Sequence, residues 1–320
     1  MLKYIVKRLW QTLIVIVIVM VAVFFLTELL PGDPVYIITG DATLAPEEYD
    51  IIYKELLLDK PVVQRFFIWL GNFLHGDFGT SYTYKMPVKD LIGARIGITL
   101  FFSVVSLAIS IIIGVLIGIV CAVKRGTALD SILTLIANIG SCLPQFWVGL
   151  VLLFVFCIRN QILPSVGFGW PNQVGFATHF KTSIMPIICL SFGSIASYAR
   201  QTRSSMLEVI KQDFVRTARS KGVLERSVIF GHVVKNGLIP IVTVTGNRLA
   251  HLLGGSMFVE TVFNIPGLGM LMMRSVVGHD VPTIQAMVIM LTLVSCLAYI
   301  VTDILYVIVD PRISIVSKNE

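Results

Sequence analysis

Residues 9–30 read LWQTLIVIVIVMVAVFFLTELL, and this stretch decides the class of fold. Glu28 is its only charged residue, and about 20 apolar residues suffice for a helix to cross the hydrocarbon core of a bilayer. A secretory leader has a shorter apolar core, of roughly 7–15 residues, and ends at small residues. Here Pro31-Gly32-Asp33-Pro34 follows instead. We therefore predict a retained transmembrane helix.

The whole chain shares the apolar character of this stretch. Of its 320 residues, 56% are hydrophobic and 14% are charged, and the mean hydropathy is +0.86. Soluble domains carry roughly 25% charged residues, so a second apolar environment is indicated. The five cysteines lie in apolar stretches without a CxxC pair, and neither a metal site nor a disulfide framework is predicted.

Six stretches are long and apolar enough to cross a membrane as helices. They are Leu9–Leu30, Thr99–Val123, Ser131–Ile158, Ser183–Met206, Leu238–Phe263 and Thr283–Val309. The sequence thus predicts an all-α integral membrane protein of about six transmembrane helices. Small residues at Gly114, Gly118 and Gly193 predict close helix packing.

The distribution of Lys and Arg predicts the orientation of these spans. If the N-terminus is cytoplasmic, the cytoplasmic segments hold fifteen Lys and Arg, and the two short external loops hold only Arg159, Lys181 and Arg274. The long loop 31–98 exceeds the length for which this rule holds, and its nine acids outnumber its six bases. We predict cytoplasmic termini, a small external cap at 31–98, and no nucleic-acid partner behind the net charge of +6.

The cytoplasmic segment 208–237 contains a short amphipathic helix. We predict that it runs from Phe214 to Lys221, with Asp213 as its N-cap and Gly222 at its exit. Its predicted apolar stripe is Phe214, Val215 and Ala218, and its predicted polar face is Arg216, Arg219 and Lys221. A second basic helical stretch at about 225–236 follows. The pattern fits a helix lying on anionic lipid headgroups or a lever gripped by a soluble partner.

Ionisable residues within spans are the remaining functional candidates. Asn247, Arg248, His251 and Glu260 predict a polar stripe along a translocation path, although Arg248 could instead reach the interface and His251 a neighbouring carbonyl. Asp303 is expected to form a structural ion pair with a basic residue of segment 208–237. Gly254-Gly255 could bend the fifth span.

Catalytic signatures are missing from the sequence. There is no phosphate-binding GxxxxGK[ST] pattern, no HExxH and no GxSxG, and the five histidines are scattered. An enzymatic function for this chain is therefore not predicted.

Several motifs, in this order, resemble the permeases of type I ABC importers, and within them the B-type subunit of the dipeptide, oligopeptide and nickel branch. They are Arg8-Leu9, Leu30-Pro31-Gly32-Asp33-Pro34, Gly76–Ser81 with Pro87-Val88, Leu143-Pro144-Gln145-Phe146-Trp147, Tyr198-Ala199-Arg200, Arg203-Ser204-Ser205-Met206, Arg216–Gly222, Glu260–Gly269 and Asp310-Pro311-Arg312. The resemblance covers essentially the whole chain. Two departures occur, since Arg216-Thr217-Ala218 stands where the general importer motif has Glu-Ala-Ala, and Lys235 stands where it has proline, with Pro240 five residues later. Both are usual in B-type subunits.

The resemblance implies a type I permease fold, with an N-terminal helix and external loop at 1–94, a permease domain at 95–309 and a tail at 310–320. It implies an ATPase-coupling loop made of Asp213, Phe214, Val215, Arg216, Thr217, Ala218, Arg219, Ser220, Lys221 and Gly222. The expected partners are a second homologous permease, two ATPase subunits that bind ATP and magnesium, and an extracellular or periplasmic solute-binding protein. No cofactor is expected in this chain, and a prokaryotic cytoplasmic membrane is the expected location.

The expected substrate is a short peptide, with nickel, glutathione and opine-like solutes as alternatives within the same family. Two other classes of protein are alternatives. An ion-coupled secondary transporter would need coupling residues at mid-membrane and inverted repeats, neither of which is evident. A membrane scaffold or enzyme without transport function would lack an ATPase partner.

Overall fold

The computed structural model describes residues 2–40, 44–250 and 256–309, and there the chain is helical apart from turns and one isolated bridge between Thr80 and Pro87. The helices are α1 (Leu2–Glu28), α2 (Pro34–Thr39), α3 (Pro46–Glu55), α4 (Val62–Leu74), α5 (Val88–Val123), α6 (Ala128–Cys142), α7 (Gln145–Leu152), α8 (Pro171–Val174), α9 (Phe176–Ile210), α10 (Asp213–Ser220), α11 (Glu225–Ser227), α12 (Lys235–Gly237), α13 (Ile239–Ala250), α14 (Met257–Val262), α15 (Leu268–Val277) and α16 (Val281–Val309). Wider π-helical turns continue α7 over Leu153–Arg159 and join α11 to α12 over Val228–Val234.

Four helical segments in this part of the chain are long and apolar enough to cross a membrane unbroken: Arg8–Glu28, Val88–Val123, Phe176–Ile210 and Val281–Asp303. Two bent pairs would raise the number to six. They are Ala128–Cys142 with Gln145–Arg159, bent by 103°, and Glu225–Gly237 with Ile239–Leu249, bent by 40°. The predicted all-α membrane fold with about six spans is confirmed.

The predicted continuous span Ser131–Ile158 is wrong in one respect, because the helix breaks at Leu143-Pro144. Leu143 has an extended backbone, with φ −77° and ψ 128°, and Pro144 precedes the first residue of α7. The proline ring disfavours the helical conformation of the preceding residue and removes a backbone donor. The apolar run continues across the break, so hydropathy alone does not reveal it.

The predicted span Leu238–Phe263 is also divided. Its first part is α13 and its last part is α14, which ends at Val262, while residues 251–255 between them lie outside the described residues. The predicted bend at Gly254-Gly255 therefore stays a prediction.

Helices α5 and α9 form the centre of the bundle, and glycines allow their close approach. A Cβ added to Gly114 would lie 2.5 Å from the Cβ of Tyr198, and one added to Gly118 would lie 2.5 Å from the Cβ of Thr202. A hydrogen bond also joins the two helices, because the hydroxyl of Ser191 on α9 donates to the backbone carbonyl of Ser106 on α5 at 3.2 Å. Small residues at a helix interface permit this contact, as the glycine spacing predicted.

Helix α1 packs on α16 at the edge of the bundle. Gln285 donates to Thr27 Oγ1 at 2.7 Å, and Arg8 pairs with Asp303 at 2.8 Å. The expectation that Asp303 pairs with a base of segment 208–237 is thus wrong, because α1 brings Arg8 to it. The opposite face of α1, including Ile18, is exposed, as lipid contact requires.

The segment predicted as a small cap forms helices α2, α3 and α4 and a turn-rich stretch at 76–87. Arg65 of α4 holds Glu28 at the end of α1 with two hydrogen bonds of 2.7 and 2.8 Å. Asp280, fully buried before α16, accepts hydrogen bonds from Ser81 Oγ and from the backbone N–H of Tyr82. Hydrogen bonds therefore attach this segment to the end of α1 and to the start of α16.

Candidate functional site

Helix α10 lies at the end of α9, separated from it by Lys211 and Gln212. The helix begins at Asp213, so Gln212, which has an extended backbone and makes no side-chain capping bond, takes the N-cap position predicted for Asp213. Asp213 instead lies in the first turn, where its negative charge interacts favourably with the positive end of the helix dipole. The chain leaves the helix at Gly222, whose φ of +72° suits glycine, as predicted.

One face of α10 is anchored in the protein. Val215 is fully buried and Ala218 nearly so, within an apolar cluster that includes Met206 and Val209 of α9 and Val228 and Val233 of the π-helical turn. Burying a valine side chain contributes roughly 1.5–3 kcal/mol. The cluster therefore holds α10 against both α9 and the segment that leads to α13.

The other face of α10 is exposed. Phe214, predicted as part of the buried stripe, is 40% exposed, because it lies one residue before Val215 and so is turned about 100° away from it around the helix. Arg216, Thr217 and Ser220 are exposed as well. The buried contact is thus the i, i+3 pair formed by Val215 and Ala218 alone.

The turn after α10 is held by an ion pair and carries further exposed apolar side chains. Arg219 Nη2 and Nε donate to the two carboxylate oxygens of Glu225, at 2.7 and 3.1 Å, and this raises the pKa of Arg219. Leu224 is 78% exposed and Phe230 64%. Phe214, Leu224 and Phe230 are thus exposed apolar side chains of α10 and of the segment that follows it.

A partly buried ion pair joins α6 to α9. Asp130, in the first turn of α6, accepts from Arg203 Nε and Nη2 of α9 at 2.8 and 2.9 Å, and also from the N–H of Gly126 at 3.1 Å and from Thr134 Oγ1 at 3.2 Å. It ties the turn between α5 and α6 to the helix that carries α10. Asp130 is not among the predicted site residues; the available signal is an acid immediately before a predicted span, which begins at Ser131.

The residues predicted to line a translocation path do not form one cluster among the described residues. Asn247 is exposed and Arg248 half-buried on α13, one turn after Thr245, whose hydroxyl lies 3.2 Å from the Tyr198 hydroxyl. His251 lies outside the described residues. The path assignment of Asn247, Arg248 and His251 stays a prediction.

Glu260 has a different environment from the other predicted path residues. Its side chain is 1% exposed, and its carboxylate accepts from Thr99 Oγ1 at 2.8 Å, Ser256 Oγ at 2.8 Å and the backbone N–H of Met270 at 3.0 Å. Thr99 Oγ1 in turn accepts from the N–H of Leu268. Glu260 and Thr99 thus satisfy amide groups at the start of α15. The path assignment of Glu260 also stays a prediction.

No group of three or more His, Cys, Asp or Glu side chains that could hold a metal ion occurs among the residues that the structure describes.

Two family profiles match the chain. Residues 114–315 match the binding-protein-dependent transport system inner membrane component, and residues 1–103 match the N-terminal region of the same membrane components. The chain belongs to this family. It is a permease subunit of an ABC importer and a multi-pass membrane protein. Subunits of this kind are not themselves enzymes.

Relatives of this permease match over almost their whole length. A peptide transport system permease of Brucella abortus (strain 2308) is 36% identical over 317 residues, which covers 97% of this chain and 98% of the relative. The glutathione transport system permease protein GsiC of Escherichia coli (strain K12) is 38% identical over 313 residues, covering 98% and 99%.

The fold of the permease is similar to that of a solved importer. The inward-facing MetNI methionine ABC transporter aligns with a TM-score of 0.57 at 19% identity, covering 69% of this chain and 96% of that chain. The likeness supports the permease fold. Family membership implies a binding protein and an ATPase as partners. It argues against the two alternative classes, an ion-coupled secondary transporter and a membrane scaffold.

Proposed function

We propose that the permease forms half of the translocation path of an ATP-driven importer for short peptides, and that α10 docks onto an ATPase subunit. The observation that carries the proposal is the two-sided character of α10. Val215 and Ala218 fix one face to α9 and to the segment before α13, while Phe214 and Arg216 on the other face are exposed. A partner that binds the exposed face of α10 moves the attached membrane helices with it.

The proposed assembly contains a second homologous permease, two ATPase subunits beneath, and a solute-binding protein at the opposite face. ATP and magnesium bind to the ATPases. Both termini and α10 lie on the cytoplasmic side of a prokaryotic cytoplasmic membrane, an orientation supported by the fifteen Lys and Arg of the segments on that side. The solute-binding protein approaches from the side of helices α2–α4.

The proposed mechanism is alternating access. When ATP closes the ATPases, α10 follows its partner, and the apolar cluster transmits the displacement because packed interiors deform little. The link from α10 to α9 consists of two residues, Lys211 and Gln212, whose N–H groups both bond carbonyls of α9. So short and hydrogen-bonded a link absorbs little of the motion.

The substrate assignment rests on relatives. Permeases that are named for peptide and for glutathione transport are 36% and 38% identical over nearly full length. Glutathione is itself a short peptide, so both names favour a peptide-like solute. Nickel and opine-like solutes stay alternatives, and uptake assays with the whole importer would discriminate among them.

Disulfide cross-linking tests the docking of α10. A cysteine at Thr217, exposed on α10, should cross-link to a cysteine on the ATPase in membranes that contain the whole importer. A cysteine at His75, exposed at the end of α4, is the matched control and should not cross-link to the ATPase. Failure of the Thr217→Cys variant to cross-link with any of a series of ATPase cysteines, in an importer that still transports, would remove α10 as the docking site.

A further inference from the structure

Helix α4 is apolar but too short to cross a bilayer. Its 13 residues read VVQRFFIWLGNFL, and Arg65 is the only charged residue among them. They extend over about 20 Å, whereas the hydrocarbon core is roughly 30 Å thick. Arg65 binds Glu28, the last residue of the candidate span formed by α1. Helix α4 therefore begins at the level at which this span ends.

One face of α4 packs on the protein. The rings of Phe66 and Trp69 each lie 5.3 Å from the ring of Phe24 on α1, measured between centroids. Phe24 precedes Glu28 by four residues, which corresponds to about 6 Å along the helix axis. The packed face of α4 thus reaches below the end of the span.

The exposed surface of α4 is divided into an apolar and a polar sector. The apolar sector consists of Val63, Phe67 and Leu74, which are each more than half exposed. At 100° per residue these three side chains lie within about 40° of one another around the helix. The polar sector consists of the exposed Gln64 and Asn72, with the half-buried Ile68 between them.

These two sectors and the packed face share the circumference of α4 in roughly equal parts. The centre of the polar sector lies about 120° from that of the apolar sector, and the packed face occupies the remaining third. This arrangement is expected for a helix that lies in a membrane interface beside a protein wall, because one side then meets acyl chains and another meets headgroups and water.

The apolar sector of α4 continues the lipid-facing surface of α1. On α1 this surface includes Ile18, Val21, Phe25 and Leu29, which are exposed at three- and four-residue spacings. Phe24 contacts both Phe66 and Trp69, whereas Phe25 stacks on Phe66 at 5.9 Å. Phe25 therefore lies toward the Phe66 side of the packed face, which is also the side of Phe67. A surface that is continuous with a membrane span favours acyl chains as its occupant.

We propose that α4 is an interfacial helix whose apolar sector inserts among the acyl chains of the outer leaflet. Gln64 and Asn72 then face the headgroups and water, and the Arg65–Glu28 pair lies at the boundary. Only the choice of leaflet rests on the proposed function, through the cytoplasmic N-terminus. The external segment is thereby attached to the bilayer as well as to the helical bundle.

Photocrosslinking in membranes that contain the whole importer tests the proposal. Phe67→p-benzoylphenylalanine exchanges one exposed aromatic side chain for another, and irradiation should give phospholipid adducts that mass spectrometry identifies. Asn72 in the polar sector and Ile51, an exposed apolar residue beside Glu47 and Glu48 on α3, are the matched control positions. The same substitution there should give about fivefold less phospholipid adduct.

Two outcomes of this experiment would overturn the proposal. Phospholipid adducts that are no more abundant at position 67 than at positions 51 and 72 would show that the apolar sector does not enter the bilayer. Adducts at position 67 to the solute-binding protein or to a permease subunit, in place of lipid, would assign the sector to a protein interface.

A charged substitution provides a measurement that is independent of photochemistry. In lipid nanodiscs, Phe67→Glu should lower the unfolding midpoint of the importer more than Ile51→Glu does, because a carboxylate among acyl chains is unfavourable. Equal midpoints of the two variants would contradict the proposal.

The leaflet is tested separately. Ile51→Cys should react with a membrane-impermeant maleimide that is added outside intact cells, in excess of the reaction of the unsubstituted chain. If position 51 reacts only from the cytoplasmic side, the proposed orientation fails while the lipid adducts at position 67 persist. The two failures are therefore distinguishable.

Discussion

Arg203 donates from Nε and Nη2 to the two carboxylate oxygens of Asp130, at 2.8 and 2.9 Å, and this pair joins the first turn of α6 to α9 two turns before α9 ends. The Asp130 side chain is almost wholly buried, whereas that of Arg203 is partly exposed. The pair thus holds α6 against α9, the helix that leads into α10.

We expect Asp130→Asn to destabilise the subunit by about 1–3 kcal/mol, less than the roughly 3–5 kcal/mol of a fully buried pair because Arg203 is partly exposed. Thermal unfolding of the purified importer in detergent measures the loss as a lower midpoint. The double variant Asp130→Asn/Arg203→Gln should be no less stable than Asp130→Asn, since it removes the unpaired cation. Strictly additive losses would argue against the pairing.

Phe214→Ser and Val215→Ser should have different effects although the residues are neighbours. Phe214→Ser removes an exposed aromatic anchor and should weaken ATPase association by about 30-fold, a hot-spot loss of roughly 2 kcal/mol, with little change in the unfolding midpoint. Val215→Ser empties a buried position and should lower the midpoint as well. Co-purification of the ATPase and thermal unfolding are the two measurements. Equal effects of both variants on the midpoint would contradict the two-sided arrangement.

Gly118→Ala should reduce the yield of folded permease, because a Cβ there would lie 2.6 Å from the carbonyl oxygen of Ala199 and 2.5 Å from the Cβ of Thr202. Overpacking of this kind costs about 1–3 kcal/mol. Gly93→Ala on the same helix is the control, since no atom lies within 4 Å of its added Cβ. Size-exclusion profiles of the two variants should differ, and a normal profile for Gly118→Ala would mean that α5 and α9 lie further apart than described.

Gly267→Ala should be as damaging as Glu260→Ala. The added Cβ would lie 2.4 Å from Glu260 Oε2, and it would displace the carboxylate from the amide groups at the start of α15. Because Glu260→Ala already vacates that space, the double variant should be no worse than either single variant. Thermal unfolding of the three variants tests this, and additive losses would show that Gly267 acts through something other than Glu260.

The sequence predicted local features well and distant contacts poorly. Hydropathy located the apolar segments but not the breaks within two of them, and the bounds of α10 differed from the prediction by one residue at each end. The partner of Asp303 could not be derived, since Arg8 lies 295 residues away and only the packing of α1 on α16 brings them together. Phe214 was misassigned because a stripe drawn at i, i+1, i+4 is wider than the face that an eight-residue helix buries.

The break at Leu143-Pro144 could have been predicted, because the conformational restriction before proline is a local rule. The unbroken apolar run on both sides of Pro144 instead predicts one continuous helix. The buried carboxylates of Glu260 and Asp280 could not be placed from sequence, since their partners Thr99 and Ser81 belong to α5 and to the segment that precedes it.

The packing of α1 on α16 can form only at the end of synthesis. Helix α1 leaves the ribosome first, but Gln285 and Asp303, which bind Thr27 and Arg8, are made last. Throughout translation, therefore, α1 lacks the helix on which it packs in the finished protein. The two ends of the polypeptide close on each other as a final step, so a ribosome that stalls before α16 leaves α1 without this packing partner.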